Sequence, residues 1–231
     1  MSTNADEAIV YGRNSVRELI AAGRRVVNEV WVLPPLAHEP WLTGQQLKVV
    51  DKAALSRFCG SPDHQGVAAR TRSYPYASDR EVRDADGPII VLDGVQDVHN
   101  LGAVARVAEA AGAAGLVIAE RGSPGVTAAV CKVSSGAVEH LLIARPESLV
   151  AFVHDAKGTG RRAYGAVEAE GVDFREAGMD RQSIIVVGAE GEGIRPRMLE
   201  VLDQVVTIPM VGKVSSLNLS VACGVLVFAT R

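Results

Sequence analysis

From Pro88 onward, short apolar runs alternate with longer segments whose apolar residues recur at helical spacing. The runs PIIVLDGV, GLVIA, HLLIA, RRAYGAV, SIIVVGA and QVVTIPM are predominantly apolar and strand-like, the pattern of strands buried on both faces. Separated by helical segments, they predict an α/β domain built on a mostly parallel sheet covered on both faces. Upstream, the pattern is more compact. Asn14 stands as an N-cap before SVRELIAAG, and the β-rich VVNEVWVL, a short strand LKVV, the helix-like DKAALSRFC and GVAARTR follow. These predict a small α/β module over residues 1–72. Between the two, SYPYASDREVRDADG holds turn formers and charges with little apolar periodicity, so residues 73–87 read as a linker and 88–231 as the second domain. No internal repeat or low-complexity tract interrupts the pattern.

Composition narrows the class. With 231 residues and 48% hydrophobic content the chain has material for a sizeable core. The start MSTNADEA lacks a basic region followed by an apolar core, and no stretch approaches the roughly 20 apolar residues of a membrane span, so a soluble, cytoplasmic protein with no membrane partner is expected. Cys59, Cys131 and Cys223 are widely spaced, with no CxxC pair, and read as reduced, mostly buried thiols. A net charge of −3 is an unpromising balance for a polyanion ligand. The excess is uneven, however: up to Arg80 there are 10 basic residues against 8 acidic, about +2, leaving about −5 for the remainder. The N-terminal part is therefore the better nucleic-acid contact.

Three polar insertions follow apolar runs, and ligands collect beyond the carboxyl ends of strands in open α/β sheets. The first, DGVQDVHNLGAVARVAEAAG from Asp93, places Asn100 at a helix start and Arg106 about one and a half turns on, with Gly102 and Ala103 leaving room on that face. By spacing alone Asn100 is a cap and Arg106 a partner of Glu109. Asp93, Asp97 and His99 carry donor atoms suited to a metal, but no metal is expected. The second insertion is Gly188-Ala-Glu-Gly-Glu-Gly193, with GxxGxG spacing that matches neither the dinucleotide fingerprint nor the phosphate loop. It reads equally as a turn or as a close ligand approach. The third, IPMVGKVSSLNLS, places Ser216 and Asn218 where either would cap the apolar final helix LSVACGVLVFA.

These three segments, in this order, resemble the three motifs of the SpoU-type (TrmH-like) RNA ribose 2'-O-methyltransferases of the SPOUT class. The likeness covers nearly the whole chain: closely from Pro88, and more loosely up to about Arg72, where YGRNSVRELI is similar to the opening of an L30e-like RNA-binding domain. Val98 departs from the proline frequent at its position. The style of GAEGEG and VSSLN is most similar to the RlmB branch, which methylates a guanosine of large-subunit ribosomal RNA. The resemblance implies a C-terminal trefoil knot, which generic folding rules disfavour, and a homodimer through the catalytic domain.

It also implies S-adenosylmethionine as methyl donor and RNA as acceptor. Asn100, Arg106, Glu190, Ser216 and Asn218 then belong to the catalytic centre, while Gly188, Ile208 and Leu217 contact the cofactor. A free guanidinium is essentially never deprotonated, so orienting the 2'-hydroxyl and holding a phosphate suits Arg106 better than acting as base. DNA, lacking that hydroxyl, is excluded as substrate. KVSSGAVEHL from Lys132 is expected to be structural, with Glu139 and His140 solvated or capping, and His64-Gln65-Gly66 to shape the first domain. The rivals are a tRNA-directed or antibiotic-resistance relative, a non-catalytic ribosome-assembly factor, and a Rossmann-type enzyme, which DGVQDVHNLG argues against because it lacks the glycine fingerprint.

Overall fold

The computed structural model describes residues 7–213 and 216–231. In chain order the elements are β1 (Glu7–Tyr11), α1 (Arg13–Ala22), β2 (Val27–Val32), β3 (Leu47–Val49), α2 (Lys52–Cys59), β4 (Val67–Arg72), α3 (Asp79–Asp84), β5 (Ile89–Asp93), α4 (Val98–Ala110), β6 (Gly115–Ile118), α5 (Ala128–Val133), β7 (Ile143–Ala144), α6 (Leu149–Lys157), β8 (Arg162–Ala166), β9 (Val172–Asp173), β10 (Ser183–Gly188), α7 (Pro196–Leu199), β11 (Gln204–Thr207) and α8 (Leu219–Phe228). They form two units: Met1–Pro75 with Gly125–His140, and Tyr76–Pro124 with Leu141–Arg231.

The first unit is a four-stranded sheet in the order β1-β4-β2-β3, antiparallel except for the β2–β3 pair. Val16 and Leu19 of α1, Val30 and Val32 of β2 and Leu55 of α2 are fully buried. The cap of α1 is Gly12 rather than Asn14. Gly12 has φ 98°, closed to most side chains, and its N–H bonds the Val67 carbonyl, which starts the helix two residues earlier than the sequence pattern indicates. The His64-Gln65-Gly66 segment is a turn with positive φ at Gln65 and Gly66. Its buried His64 accepts the Gly66 N–H at Nδ1, and its Nε2 lies 3.1 Å from Ser56 Oγ.

Segment 125–140 supplies this unit with a second layer. Glu139, expected to be solvated or capping, is buried with Arg25, both side chains 1% exposed. Arg25 Nε donates to Glu139 Oε2 at 2.9 Å and Nη2 donates to Oε1. Tyr74 inserts beside them and donates its hydroxyl to the Val138 carbonyl at 2.9 Å. The stretch expected as a linker is therefore ordered: Tyr74 is buried, and Ser78 and Glu81 form a capping box that starts α3. Burial pushes the Cys131 thiol up to about 11 and Cys223 up to about 12, as inert core thiols.

The second unit is a seven-stranded sheet in the order β7-β6-β5-β10-β8-β11-β9, with every pair parallel. The strands β5 and β6 are buried at every position and β10 at all but its last, which explains their unbroken apolar sequences. Strand β10 inserts between β5 and β8, so a strand late in the chain occupies the middle of the sheet. Helix α8 packs on α4 and on β10. A Cβ at Gly224 would sit 3.3 Å from Val107 Cγ1, so this glycine sets how closely the two helices approach.

Candidate active site

Sheet order brings the three polar segments together. Strands β5 and β10 are neighbours, and β11 lies one strand beyond with only β8 between. The carboxyl ends of β8, β10 and β11, with the start of α8, enclose a cavity of about 580 Å3. Its apolar wall includes Val187, Ile208, Leu217, Leu219 and Leu226, and its polar wall includes Glu168, Glu190, Glu192, Ser216 and Asn218. Among the described lining residues there are three carboxylates and no lysine, arginine or histidine. Such a wall attracts a cationic ligand and repels phosphates.

Each glycine of the GAEGEG segment has a local reason. A Cβ at Gly188 would lie 2.0 Å from the Gly193 carbonyl carbon, so only glycine lets the turn fold back on the end of β10. Gly191 and Gly193 have φ 81° and 68°. The turn closes where Gly193 N donates to the Ala189 carbonyl at 2.9 Å. It is then fastened by Asp93, whose side chain is fully buried: the Arg195 backbone N–H donates to Oδ2 at 2.9 Å and Arg195 Nε to Oδ1 at 2.7 Å. One carboxylate oxygen thus takes the Arg195 guanidinium and the other its backbone N–H, tying the end of β5 to the chain just beyond the glycine turn.

Asn218 is the junction of all three segments. Its Oδ1 accepts from Ser220 N at 2.9 Å and from Ser220 Oγ at 2.6 Å, which caps α8. Its Nδ2 donates to Glu190 Oε1 at 3.0 Å and to Asn100 Oδ1 at 3.3 Å. Asn100 is available for this because Asp97, not Asn100, caps α4, accepting the His99 N–H at 2.8 Å. Asp93 and Asp97 thus both have structural work.

Six of the sequence-derived residues, Gly188, Glu190, Ile208, Ser216, Leu217 and Asn218, line one cavity, and Asn100 joins them through Asn218. Arg106 does not line it. It lies on the exposed side of α4, six residues beyond Asn100 and so about 9 Å along the axis. Sequence reasoning missed the Asp93–Arg195 clamp and the Ala166–Glu168 wall. The wall follows from the position of β8 between β10 and β11, which no local pattern records.

Comparison with known proteins identifies the family. Residues 87–228 match the SpoU rRNA Methylase family, and residues 9–77 match the substrate-binding domain of RNA 2'-O ribose methyltransferases. A protein of Staphylococcus haemolyticus assigned to the TrmH family of tRNA/rRNA methyltransferases is 32% identical, the match covering 96% of this chain and 94% of the relative. A solved RNA 2'-O ribose methyltransferase superposes with TM-score 0.80 at 25% identity, covering 97% of this chain and 88% of the other. The SpoU methyltransferase AviRb of Streptomyces viridochromogenes, solved with AdoMet, has the same fold, with TM-score 0.81 at 21% identity over 98% of this chain and 89% of the other. With both of its segments matched and a full-length relative above 30% identity, this chain belongs to the SpoU/TrmH family of RNA 2'-O-ribose methyltransferases.

Proposed function

We propose that the protein transfers a methyl group from S-adenosylmethionine to a ribose 2'-oxygen of RNA, with a guanosine of large-subunit ribosomal RNA, the RlmB-type target, as acceptor and the cytoplasm as its site of action. The observation that carries this reading is the Asn218 junction beside a cavity walled by three carboxylates. The cavity suits the cofactor in size, within the roughly 300–1,000 Å3 of small-molecule sites, and in charge, because a sulfonium and an ammonium are cations. Gly188, Ile208 and Leu217 would hold it against the apolar wall.

The sulfonium supplies an already activated methyl group, so the task left to the protein is alignment. Asn218 links Asn100 and Glu190 through its Nδ2, and Ser216 adds a hydroxyl to the cavity wall. Arg106 orients the incoming ribose hydroxyl and holds a neighbouring substrate phosphate, whose oxygen takes the 2'-hydroxyl proton as the oxygen bonds the methyl carbon and S-adenosylhomocysteine departs. Residues 1–72, completed by segment 125–140, capture the RNA, residues 73–87 connect, and the rest of residues 88–231 carries the chemistry. A homodimer forms through the catalytic domain, supported by the outer stripe of α8, where Val221 and Phe228 are 51% and 45% exposed on one face. Light scattering should give twice the chain mass.

The test is labelled methyl transfer to unmodified ribosomal RNA and tRNA pools, with wild type and Arg106→Ala, followed by mapping of alkali-resistant linkages. Ribose label in large-subunit RNA that vanishes in the variant supports reaction and residue together. Label in tRNA keeps the chemistry and replaces the substrate, and no label in either pool defeats the reading.

A further inference from the structure

The second unit holds another cavity, of about 540 Å3, at the same carboxyl end of the sheet. It is lined by Asp93, Arg121, Glu147, Ser148, Arg195 and Arg197 together with apolar residues. Its charge is opposite in character to that of the first cavity. Three arginines face two carboxylates, a formal wall charge of 3 − 2 = +1, whereas the first cavity carries three carboxylates and no base. One polypeptide turn serves both: residues 188–194 line the first and 195–198 the second.

The arginines are not equivalent. Arg195 is held through Nε and Nη2 by fully buried Asp93, so its guanidinium is fixed. Arg121 and Arg197 are exposed and make no ion pair among the described residues. Two exposed guanidinium groups beside one fixed in place form an anion receptor, because the guanidinium fork matches a phosphate oxygen pair. Glu147 opposes that charge, so a single small anion is held weakly, while a polyanion anchored elsewhere still profits.

We propose that this second cavity is a phosphodiester subsite for the acceptor RNA, in which Arg121, Arg195 and Arg197 take a backbone phosphate beside the target nucleotide. The proposal rests on the assignment of RNA as the methyl acceptor. It also gives the shared turn a purpose. A cationic donor and a polyanionic acceptor need separate receptors of opposite charge, and a single rigid turn between them fixes their spacing.

The experiment measures binding of a fluorescein-labelled, unmodified ribosomal RNA transcript by anisotropy across a salt series, with S-adenosylmethionine binding followed separately by calorimetry. Arg121→Gln and Arg197→Gln should each weaken RNA binding about tenfold, and the slope of log K against log salt should flatten by about 0.7 for each phosphate left unneutralised. The KM for RNA should rise more than kcat falls, and cofactor affinity should hold. Glu147→Gln should tighten RNA about threefold, a gain that no folding defect imitates. An Arg121→Gln/Arg197→Gln double variant with wild-type RNA affinity and salt slope overturns the subsite. Because the anisotropy, salt-slope and calorimetric readouts do not depend on turnover, loss of methyl transfer by wild type would defeat the proposed reaction separately.

Discussion

Asn218 offers two separable tasks to one substitution. Asn218→Asp keeps an oxygen to accept from Ser220 N and Ser220 Oγ, so the α8 cap survives. It replaces the donating Nδ2 by a second carboxylate oxygen facing Glu190 Oε1, where the present distance is 3.0 Å. Asn218→Ala loses both functions. Loss of the cap costs about 1 kcal/mol. The two Nδ2 bonds are exposed, one charge-assisted and one stretched to 3.3 Å, and add together about 0.5–1 kcal/mol. A total of about 1.5–2 kcal/mol corresponds to a fall in Tm of about 3–8 °C for a chain of this size. Asn218→Asp should fall by less than half of that. Activity should order the variants differently. Both lose the bridge between Asn100 and Glu190, and misplacing aligned groups by about 1 Å costs about 100-fold. The assay pairs melting by scanning fluorimetry with initial rates of labelled methyl transfer at saturating cofactor. An Asn218→Asp enzyme that melts near wild type and also turns over within threefold of it would refute the bridging role, leaving Asn218 as a cap alone.

Other outcomes follow from features of each unit. Gly188→Ala should lower S-adenosylmethionine affinity at least tenfold by calorimetry, because the added Cβ meets the Gly193 backbone at 2.0 Å and must displace the turn. Wild-type binding would show that the turn yields freely. Glu139→Ala leaves Arg25 buried and unpaired and should cost about 3–5 kcal/mol in urea unfolding. Burial, assisted by the charges of Lys52 and Lys132, lowers the His64 pKa, so its unfolded form binds a proton first, near pH 6.5. The stability from neutral His64 is thus intact above about pH 6.5 and lost as pH falls toward the lower folded value, with a slope of at most about 1.4 kcal/mol per pH unit. Chemical unfolding between pH 7 and 5 should show this slope in wild type and not in His64→Gln.

What the sequence disclosed was local. The strands β5, β6 and β10 declare themselves because burial on both faces leaves no polar position. The glycine turn and the Ser-Leu-Asn turn stand out as polar interruptions of apolar runs. What it concealed was partnership. Nothing near Glu139 signals that Arg25 awaits it, and nothing near Asp93 signals Arg195, because each pair is closed by the tertiary path alone. Glu168 is invisible for the same reason: its role depends on β8 lying between two strands that come later in the chain. Asn100 reads as a possible cap, but Asp97, three residues earlier, is an equally good one, and the choice between them frees the side chain that Asn218 uses.

The Arg25–Glu139 pair spans 114 residues, which turns a matter of packing into one of timing. At about 5–20 residues per second, a ribosome delivers Glu139 roughly 6–23 seconds after Arg25. Throughout that interval the first unit lacks both its internal counter-ion and the layer contributed by residues 125–140. The N-terminal unit therefore cannot finish folding as it emerges. Its completion waits until β5, α4 and β6 have been synthesised, so the nascent chain carries an unfinished N-terminal unit while the first strands of the second unit are being made.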